Sequence, residues 1–413
     1  MYNELFGTGY HMLAKPAGPI CNLDCKYCFY LEKESFLEEV NGYKMNDRIL
    51  ETFIEKYISS QEIPEIQFVW QGGEPTLRNL DFYRKVIFYQ KKYAGNKKII
   101  NSLQTNGVLL DEEWCGFLKE NDFLVGISLD GPKEIHDSYR VDKGGKPTFE
   151  RVMKSINLLK KYEIPFNILT CVTHYSAGKA REIYNFYKEN GIDFIQFTPI
   201  IERNPETTDI ENGLKHGNVN YKETGNGVTD FSVKQGEYGR FLNEIFDLWV
   251  KKDVGKIHVM NFEWALEAWL GLPSTICIFS KECGRAIAIE HNGDLYSCDH
   301  YVYPENKIGN ILEDNPKELI ESTKQKEFGR NKLAILPKQC MECEVRFACN
   351  GECPRHRFDK THDGESGLSY LCEDYRTFFY HIHPYMKVMV QLIENNLPAS
   401  KVMEAIKGPI IIQ

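Results

Sequence analysis

Short apolar runs alternate with amphipathic stretches along the first half of the chain. The apolar runs are rich in Ile, Val and Phe and are bounded by Gly, Pro or Asn, a pattern typical of buried strands. They predict six strands, at residues 12–15, 66–70, 99–104, 123–129, 166–172 and 193–198. Between them, apolar residues recur at helical spacing. This predicts helices at 47–59, 80–93, 111–121, 148–162 and 177–190.

Regular alternation of strands and helices predicts a parallel sheet with right-handed crossovers. Six such units indicate an α/β fold, a full or partial (β/α)6 barrel of the TIM type. In barrels of this type, functional groups lie at the C-terminal ends of the strands. Distinctive residues follow the first four predicted strands at that end: Cys21, Gln71–Pro75, Thr105–Gly107 and Asp130–Pro132.

The pattern divides the chain into four parts. Residues 1–235 hold the barrel, with a polar, Asn- and Gly-rich insertion at about 203–229. Residues 236–276 form a helical connection, with helices expected at 238–250 and 261–270. Residues 277–375 are rich in cysteine and have little periodicity, and 376–413 contain a terminal helix expected at 378–395.

Composition narrows the class of protein. Hydrophobic residues make up 42% and charged residues 26%, as in ordinary globular proteins, and the net charge of −9 argues against nucleic-acid binding. No apolar run approaches the ~18 residues of a membrane helix, and the N-terminus has no secretory pattern, so we expect a cytoplasmic protein without membrane contact. We also expect a monomer.

The thirteen cysteines are an odd number, and in a reducing compartment clustered cysteines indicate metal or cluster ligands.

The first cysteine motif is Cys21-x3-Cys25-x2-Cys28. Three thiolates on one short loop can hold three irons of a [4Fe–4S] cluster and leave the fourth iron open to a small molecule. A zinc site is the alternative, although structural zinc takes four ligands.

This motif resembles that of the radical S-adenosylmethionine (SAM) superfamily. The resemblance implies that SAM binds the open iron and is cleaved to a 5′-deoxyadenosyl radical. Candidate SAM-binding residues are Tyr27, Gly72, Gly73, Ser128, Asp130, Arg140 and Ile201. Each also has an ordinary structural interpretation: a turn for the glycines, a cap or turn for Ser128 and Asp130, a salt bridge for Arg140, and core packing for Ile201.

Eight further cysteines lie between residues 277 and 372. They are Cys277, Cys283, Cys298, Cys340, Cys343, Cys349, Cys353 and Cys372. Eight thiolates divide into two sets of four, and each set suits one [4Fe–4S] cluster or one zinc ion. The array resembles the SPASM cluster domain. That resemblance implies an interleaved assignment: Cys277, Cys283, Cys298 and Cys353 to a first auxiliary cluster, and Cys340, Cys343, Cys349 and Cys372 to a second. With the SAM cluster, this makes three [4Fe–4S] clusters.

Several strings are similar to those of the anaerobic sulfatase-maturating enzymes, over most of the chain. They are residues 28–30, 71–76, 102–107, 129–136, 290–302 and 308–311. The resemblance implies oxidation of a cysteine or serine, in an unfolded sulfatase polypeptide carrying Cys/Ser-x-Pro-x-Arg, to Cα-formylglycine. The radical would take a hydrogen from the target Cβ, and a flavodoxin or ferredoxin would supply electrons.

Asp299 matches the general base of that family. A carboxylate beside a buried substrate is expected to have a raised pKa, which suits it to accept a proton near neutral pH. A turn residue or a partner of Cys298 is the structural alternative. The resemblance also implies that the first auxiliary cluster takes an electron, because its ligand Cys298 adjoins Asp299.

Two other functions remain open at this point. Another SPASM enzyme, forming thioether or carbon–carbon crosslinks in a precursor peptide, would share both cysteine arrays. A zinc or iron–sulfur scaffold without activity belongs to a different class. Outside the arrays, Cys115 and Cys171 are interpreted as buried small hydrophobes and His136 and His174 as structural residues.

Overall fold

A computed structural model describes residues 9–220 and 227–406. Six parallel strands lie side by side in chain order: β1 His11–Lys15, β2 Glu65–Trp70, β3 Lys98–Thr105, β4 Leu124–Ser128, β5 Phe166–Val172 and β6 Phe194–Pro199. Their apolar side chains alternate into a core that includes Met12, Phe68, Leu103, Ile127 and Ile168. The predicted parallel α/β sheet is confirmed, and each predicted strand end lies within one residue of the observed end.

Helices cover the outer face of this sheet. In the barrel they are α1 Asp47–Ser60, α2 Leu80–Tyr93, α3 Glu112–Glu120, α4 Lys133–Tyr139, α5 Phe149–Lys161 and α6 Ala180–Glu189. Side-chain caps fix where the first three begin: Asn46, Asn79 and Asp111 accept hydrogen bonds from the backbone N–H groups of Ile49, Phe82 and Trp114. Such caps satisfy donors that a helix leaves unpaired at its start. The α4 helix was not among the predicted elements.

The cysteine-rich part extends the same sheet. A two-residue strand, β7 His258–Val259, adds to β6, while β8 Ala286–Glu290 runs parallel to β1 on the opposite side. Antiparallel strands β9 Asp294–Tyr296 and β10 Lys307–Asn310 complete a sheet of ten strands. The pairing of Lys15 with Glu290 brings the chain around Cys298 to the C-terminal end of β1.

The remaining helices join the two parts. They are α7 Glu237–Lys252, α8 Met260–Trp269, α9 Pro316–Glu321, α10 Thr323–Ala334 and α11 Cys372–Glu394. Aromatic contacts pack α11 on its neighbours, with Tyr238 and Tyr375 ring centroids 5.9 Å apart. The predicted terminal helix is confirmed, but α11 begins at Cys372, six residues earlier than expected. No helix in the described ranges is both long and apolar enough to span a membrane.

The insertion at about 203–229 packs against both parts of the molecule. It contains a short helix at Thr207–Glu211. The carboxylate of Glu32 accepts from the backbone N–H of Lys215 and His216, at 2.8 and 3.0 Å. The Asn220 amide donates to Asn306 at 2.9 Å. Residues 221–226 of this insertion, residues 1–8 of the predicted barrel and residues 407–413 of the predicted tail lie outside the described residues. The four-part division of the chain stays a prediction.

Candidate functional site

The first cysteine motif forms a compact loop after β1. Cys28 donates its backbone N–H to the carbonyl of Cys25 at 3.0 Å, and the Leu23 N–H donates to the Cys21 sulfur at 3.3 Å. Burial raises the pKa of the Cys21 thiol to about 12, and the neighbouring Cys28 adds to the effect. Cys28 and Cys21 both act on the pKa of Cys25. The three thiols therefore lie close enough to affect one another's pKa values, and their role as cluster ligands stays a prediction.

Gly72 and Gly73 hold this loop against the end of β2. The Gly73 N–H donates to the Gly18 carbonyl at 2.9 Å, and the Glu74 N–H donates to the Ile20 carbonyl at 2.8 Å. A Cβ atom on Gly73 would lie 2.1 Å from the Ile20 carbonyl oxygen, so no other residue fits without moving the backbone. Gly72 has a φ of 128°, where a side chain is strained. The close approach expected here is to the cysteine loop itself, and the SAM contact stays a prediction.

Glu74 joins the ends of β2 and β3. Its buried carboxylate accepts from the Thr105 hydroxyl at 2.7 Å, the Asn106 N–H at 2.8 Å and the Thr76 N–H at 3.0 Å. Burial raises the pKa of Glu74, and these donors oppose that effect. The Asn106 amide in turn donates to the Cys21 sulfur at 3.7 Å. Sequence reasoning missed Glu74 as a site residue, although its place in the Gly-Gly-Glu-Pro string was the available signal.

Three predicted SAM-binding residues form one buried network. The Tyr27 hydroxyl donates to the Asp130 carboxylate, and the Arg140 Nε donates to the same Oδ2 atom at 3.0 Å. The Asp130 Oδ1 accepts from the Cys171 N–H at 3.0 Å, and Arg140 Nη2 lies 3.4 Å from the Cys171 sulfur. Asp130 thus holds Tyr27 and Arg140 in fixed positions beside the cysteine loop. Cys171, interpreted from sequence as a core residue, contacts this network.

The other sequence candidates lie close by or serve the fold. The Ser128 hydroxyl lies 3.4 Å from the Gln104 amide, and Ile201 is buried. His136 is buried between the Asp130 N–H and the Thr148 hydroxyl, and His174 pairs with Glu237 at the surface. Cys115 is buried in α3.

Asp299 follows Cys298 and forms an ion pair with Lys15, the last residue of β1. The Lys15 ammonium also lies 3.8 Å from the centroid of the Tyr30 ring, and Tyr30 donates its hydroxyl to Glu290. Burial alone would raise the Asp299 pKa, but Lys15 and His300 outweigh burial and lower it. The expected raised pKa of Asp299 is therefore wrong, because a buried cation faces the carboxylate. The lowered pKa keeps Asp299 ionised, and thus able to accept a proton, but makes it a weaker base than a raised pKa would.

Arg355 connects the cysteine loop, the end of the barrel and the segment around Asp299. Its guanidinium donates to Glu202 at 2.5 Å, contacts His300 Nδ1 at 2.7 Å and lies 5.2 Å from the Phe29 ring centroid. Burial and the positive charge of Arg355 lower the pKa of His300 to about 3. Lys15, Glu202 and Arg355 were not predicted as site residues, because their partners are distant in sequence.

The eight remaining cysteines separate into two sets in space. Beyond burial, the thiols of Cys277 and Cys353 raise the pKa of Cys298, and the Cys277 thiol raises the pKa of Cys283. In the other set, Cys349 has Cys372 and Cys340 among its neighbours, and Cys372 has Cys340 and Cys343. These neighbours belong to the same predicted set in each case, and the assignment of each set to a cluster stays a prediction.

The residues present fit iron–sulfur clusters. A cavity of about 210 Å³ is lined by all four thiols of the second set, Cys340, Cys343, Cys349 and Cys372. All the cysteines in the described ranges are free of disulfides. No trio of His, Cys, Asp or Glu among those residues is gathered closely enough for a single metal ion.

Comparisons with known proteins agree with this geometry. Residues 16–187 match the radical SAM superfamily, and residues 277–344 match the SPASM iron-sulfur cluster-binding domain. The chain is 45% identical over 402 residues to a serine-type anaerobic sulfatase-maturating enzyme of Bacteroides thetaiotaomicron, covering 97% of this chain and 96% of that one. It is 36% identical over 377 residues to a cysteine-type enzyme of Clostridium perfringens, covering 90% and 96%.

A solved structure is similar over nearly the whole chain. It is described as native anSMEcpe with bound AdoMet and Cp18Cys peptide. The TM-score is 0.80 at 35% sequence identity, covering 93% of this chain and 99% of that one. The radical SAM barrel with its SPASM domain is thereby confirmed as the fold.

Proposed function

Because the chain belongs to the anaerobic sulfatase-maturating enzymes, we propose that it oxidises a serine or cysteine of a sulfatase precursor to Cα-formylglycine. The observation that carries the proposal is the Asp299 carboxylate, which Lys15 holds ionised at the end of β1. Asp299 directly follows Cys298 in sequence and lies at the end of the barrel that holds the cysteine loop. This arrangement supports the proposal that proton acceptance and radical chemistry occur at the same end of the sheet.

The reaction removes two electrons from the target residue. When bound, the open-iron cluster and SAM supply the 5′-deoxyadenosyl radical that takes a hydrogen atom from the target Cβ. Asp299 accepts the proton of the side-chain hydroxyl or thiol, and one electron leaves for an acceptor. With serine these losses give the aldehyde directly. With cysteine they give a thioaldehyde, which water hydrolyses with release of sulfide.

The SAM site is assigned to the network around Asp130. Tyr27 would face the adenine, Arg140 the SAM carboxylate, and Ser128 and Asp130 the ribose, with Gly72, Gly73 and Ile201 lining the pocket. The pairing of Asp130 with Tyr27 and Arg140 supports this assignment, because it fixes two of these side chains before ligand binds.

Three [4Fe–4S] clusters complete the proposal. Cys21, Cys25 and Cys28 would hold the SAM cluster. Cys277, Cys283, Cys298 and Cys353 would hold the first auxiliary cluster, and Cys340, Cys343, Cys349 and Cys372 the second. The first auxiliary set adjoins Asp299 through Cys298, which supports it as the site that takes the electron. Because four thiolates complete its ligation, this cluster would not bind substrate.

We propose serine as the preferred target. The support is the 45% identity to the serine-type enzyme of Bacteroides thetaiotaomicron, because the other serine-type relatives, at 35% and 34%, and the cysteine-type relative, at 36%, do not differ. The polypeptide would carry the target in Ser-x-Pro-x-Arg, and a flavodoxin or ferredoxin would supply electrons to a monomeric enzyme. A cytoplasmic setting suits eleven ligand thiols that must stay reduced.

An anaerobic assay tests this function. The protein, reconstituted with iron and sulfide, receives SAM, reductant and two peptides that carry Ser-x-Pro-x-Arg or Cys-x-Pro-x-Arg. Mass spectrometry should detect aldehyde in step with 5′-deoxyadenosine, faster on the serine peptide. Deoxyadenosine without aldehyde on either peptide would move the assignment to another peptide-modifying reaction of radical SAM enzymes. A faster cysteine peptide would overturn the serine preference alone.

A further inference from the structure

Lys332 in α10 is a fully buried lysine beside the first auxiliary set. Its Nζ atom donates to the backbone carbonyls of Cys277 at 2.5 Å, Ile278 at 2.8 Å and Ser280. Three simultaneous donor bonds require all three N–H groups of an ammonium, because a neutral amine has only two. The side chain therefore carries a positive charge against the loop that begins with Cys277.

The helix that carries Lys332 fits tightly against the other ligand loop. A Cβ atom on Gly329 would lie 2.3 Å from the Cys283 carbonyl oxygen, and the Cys283 N–H donates to the Gly329 carbonyl at 3.3 Å. One turn earlier, Gln325 donates to the carbonyls of Gly284 and Ser297. The position of the ammonium relative to these loops is thus fixed by backbone contacts on both sides.

No carboxylate in the described ranges forms an ion pair with Lys332. The buried Lys15, by contrast, pairs with Asp299. Burial lowers the pKa of Lys332, and the thiols of Cys353, Cys277 and Cys283, three members of one cysteine set, oppose that effect. A buried charge is unfavourable unless an opposite charge faces it. At this position, the negative charge that faces the Lys332 ammonium would come from the thiolates of a bound cluster.

We propose that Lys332 is the counter-charge of the first auxiliary cluster and raises its reduction potential, which poises the cluster to take the electron from the target residue. This inference rests on the proposed function. In that step the target is oxidised by one electron and the cluster is reduced by one, after the target's proton has gone to Asp299. Reduction makes the cluster more negative, so a fixed cation close to its ligands stabilises the reduced form over the oxidised form.

Arg355, which pairs with Glu202, is buried near these thiols. So is Arg357, which also differs from Lys332. Its guanidinium donates to the carbonyls of Gly351, Asn350 and Glu352, and Glu352 is the first of the negative groups that favour its charge. The Glu352 carboxylate thus favours the charged form of Arg357. Lys332, among the described residues, faces backbone carbonyls and the thiols of one cysteine set instead.

The test compares Lys332→Met, Lys332→Gln and Lys332→Arg in the reconstituted full-length enzyme. Lys326→Met is the matched control, since Lys326 lies on the same helix and pairs with Glu321 at the surface. Anaerobic redox titration followed by electron paramagnetic resonance measures each cluster. The Met and Gln variants should lower the equilibrium constant for reduction of the first auxiliary cluster at least tenfold. This corresponds to a reduction potential about 59 mV lower for a one-electron couple. Lys332→Arg and Lys326→Met should leave it unchanged.

Iron analysis of each variant distinguishes a cluster that is lost from a cluster whose reduction potential is changed. If Met and Gln variants lose this cluster while Arg retains it, the requirement for charge is shown at assembly and the inference stands. It is overturned if Met and Gln variants keep all their iron with unchanged potentials, or if Arg loses the cluster as well. Because the titration needs no peptide, a shifted potential in an enzyme that makes no aldehyde would refute the proposed function and leave the role of Lys332 intact.

Discussion

Lys15 and Asp299 form a buried ion pair across 284 positions of sequence, with 2% and 18% of their side chains exposed. The parallel pairing of β1 with β8 makes the contact possible, because it sets the end of the barrel's first strand beside the segment after β9. The ion pair joins the radical SAM barrel to the SPASM domain at the point where the proposed chemistry occurs.

Replacement of the Lys15 cation should lower the free energy of unfolding. In Lys15→Met, the Asp299 carboxylate stays buried without its partner, which typically destabilises a protein by about 3–5 kcal/mol. We expect a lower thermal unfolding midpoint under anaerobic conditions. The double variant Lys15→Met/Asp299→Asn should regain part of the loss, because the buried charge is gone. If the double variant is as unstable as the sum of the two single variants, the pair contributes no coupling.

Gly73→Ala should disrupt the cysteine loop. Its Cβ would meet backbone atoms of Pro19 and Ile20, which cannot move aside as a flexible side chain can. We expect loss of the SAM cluster, measured as about four fewer iron atoms and no SAM cleavage. Gly116→Ala is the control: no atom lies within 4 Å of its Cβ in α3, so it should be neutral or stabilising by about 0.5–1 kcal/mol. A Gly73→Ala enzyme with full iron would contradict the close packing described here.

The interleaved cysteine sets predict a specific pattern of iron loss. Cys277→Ala/Cys353→Ala removes two ligands of one set and should cost about four iron atoms of about twelve. Cys349→Ala/Cys353→Ala removes neighbours in sequence that belong to different sets, and should cost about eight. Iron and sulfide analysis of the purified variants measures this. Equal losses from the two double variants would show that Cys349 and Cys353 share a cluster.

Much of this architecture was predictable from the sequence. The six strands of the barrel alternate with amphipathic helices, and their apolar pattern locates them within one residue. The strands β9 and β10 were missed because they have only three and four residues. The strand β8 has five residues, as β1 and β4 do, but lies in a part of the chain dominated by cysteine and turns. The eight cysteines indicated two sets of four, and the family resemblance implied which cysteines belong to each set.

The charged groups of the site were not predictable in the same way. Lys15 and Asp299, and likewise Glu202 and Arg355, meet only because the sheet brings distant segments together. The error over the Asp299 pKa has this origin: the sequence shows a carboxylate near a buried site but not the cation that faces it. Helix α11 was predicted to begin too late, because its first turn carries Cys372 and two acidic residues rather than an apolar pattern.

Burial of His136 predicts a dependence of stability on pH. Burial lowers the pKa of His136 from 6.5 to about 4, so below pH 6.5 the unfolded chain binds a proton that the folded chain does not. Stability from this residue is complete above the unfolded pKa and falls as pH drops towards the folded one. Between about pH 7.5 and 5.5, the wild type should lose about 1 kcal/mol more than His136→Gln. Parallel losses in thermal unfolding would contradict the neutral, buried state of His136.

The central claim is that Asp299 takes the proton during oxidation of the target residue. The most direct measurement is the ratio of aldehyde to 5′-deoxyadenosine produced by Asp299→Asn under anaerobic conditions. Asp363→Asn is the control, because Asp363 is an exposed aspartate of the same domain that pairs with His362. We predict that Asp299→Asn still cleaves SAM but forms aldehyde about 10²–10⁴-fold more slowly, as expected for loss of a general base, while the control matches the wild type. Aldehyde formation by Asp299→Asn at a rate near that of the wild type would contradict the account and place the base elsewhere.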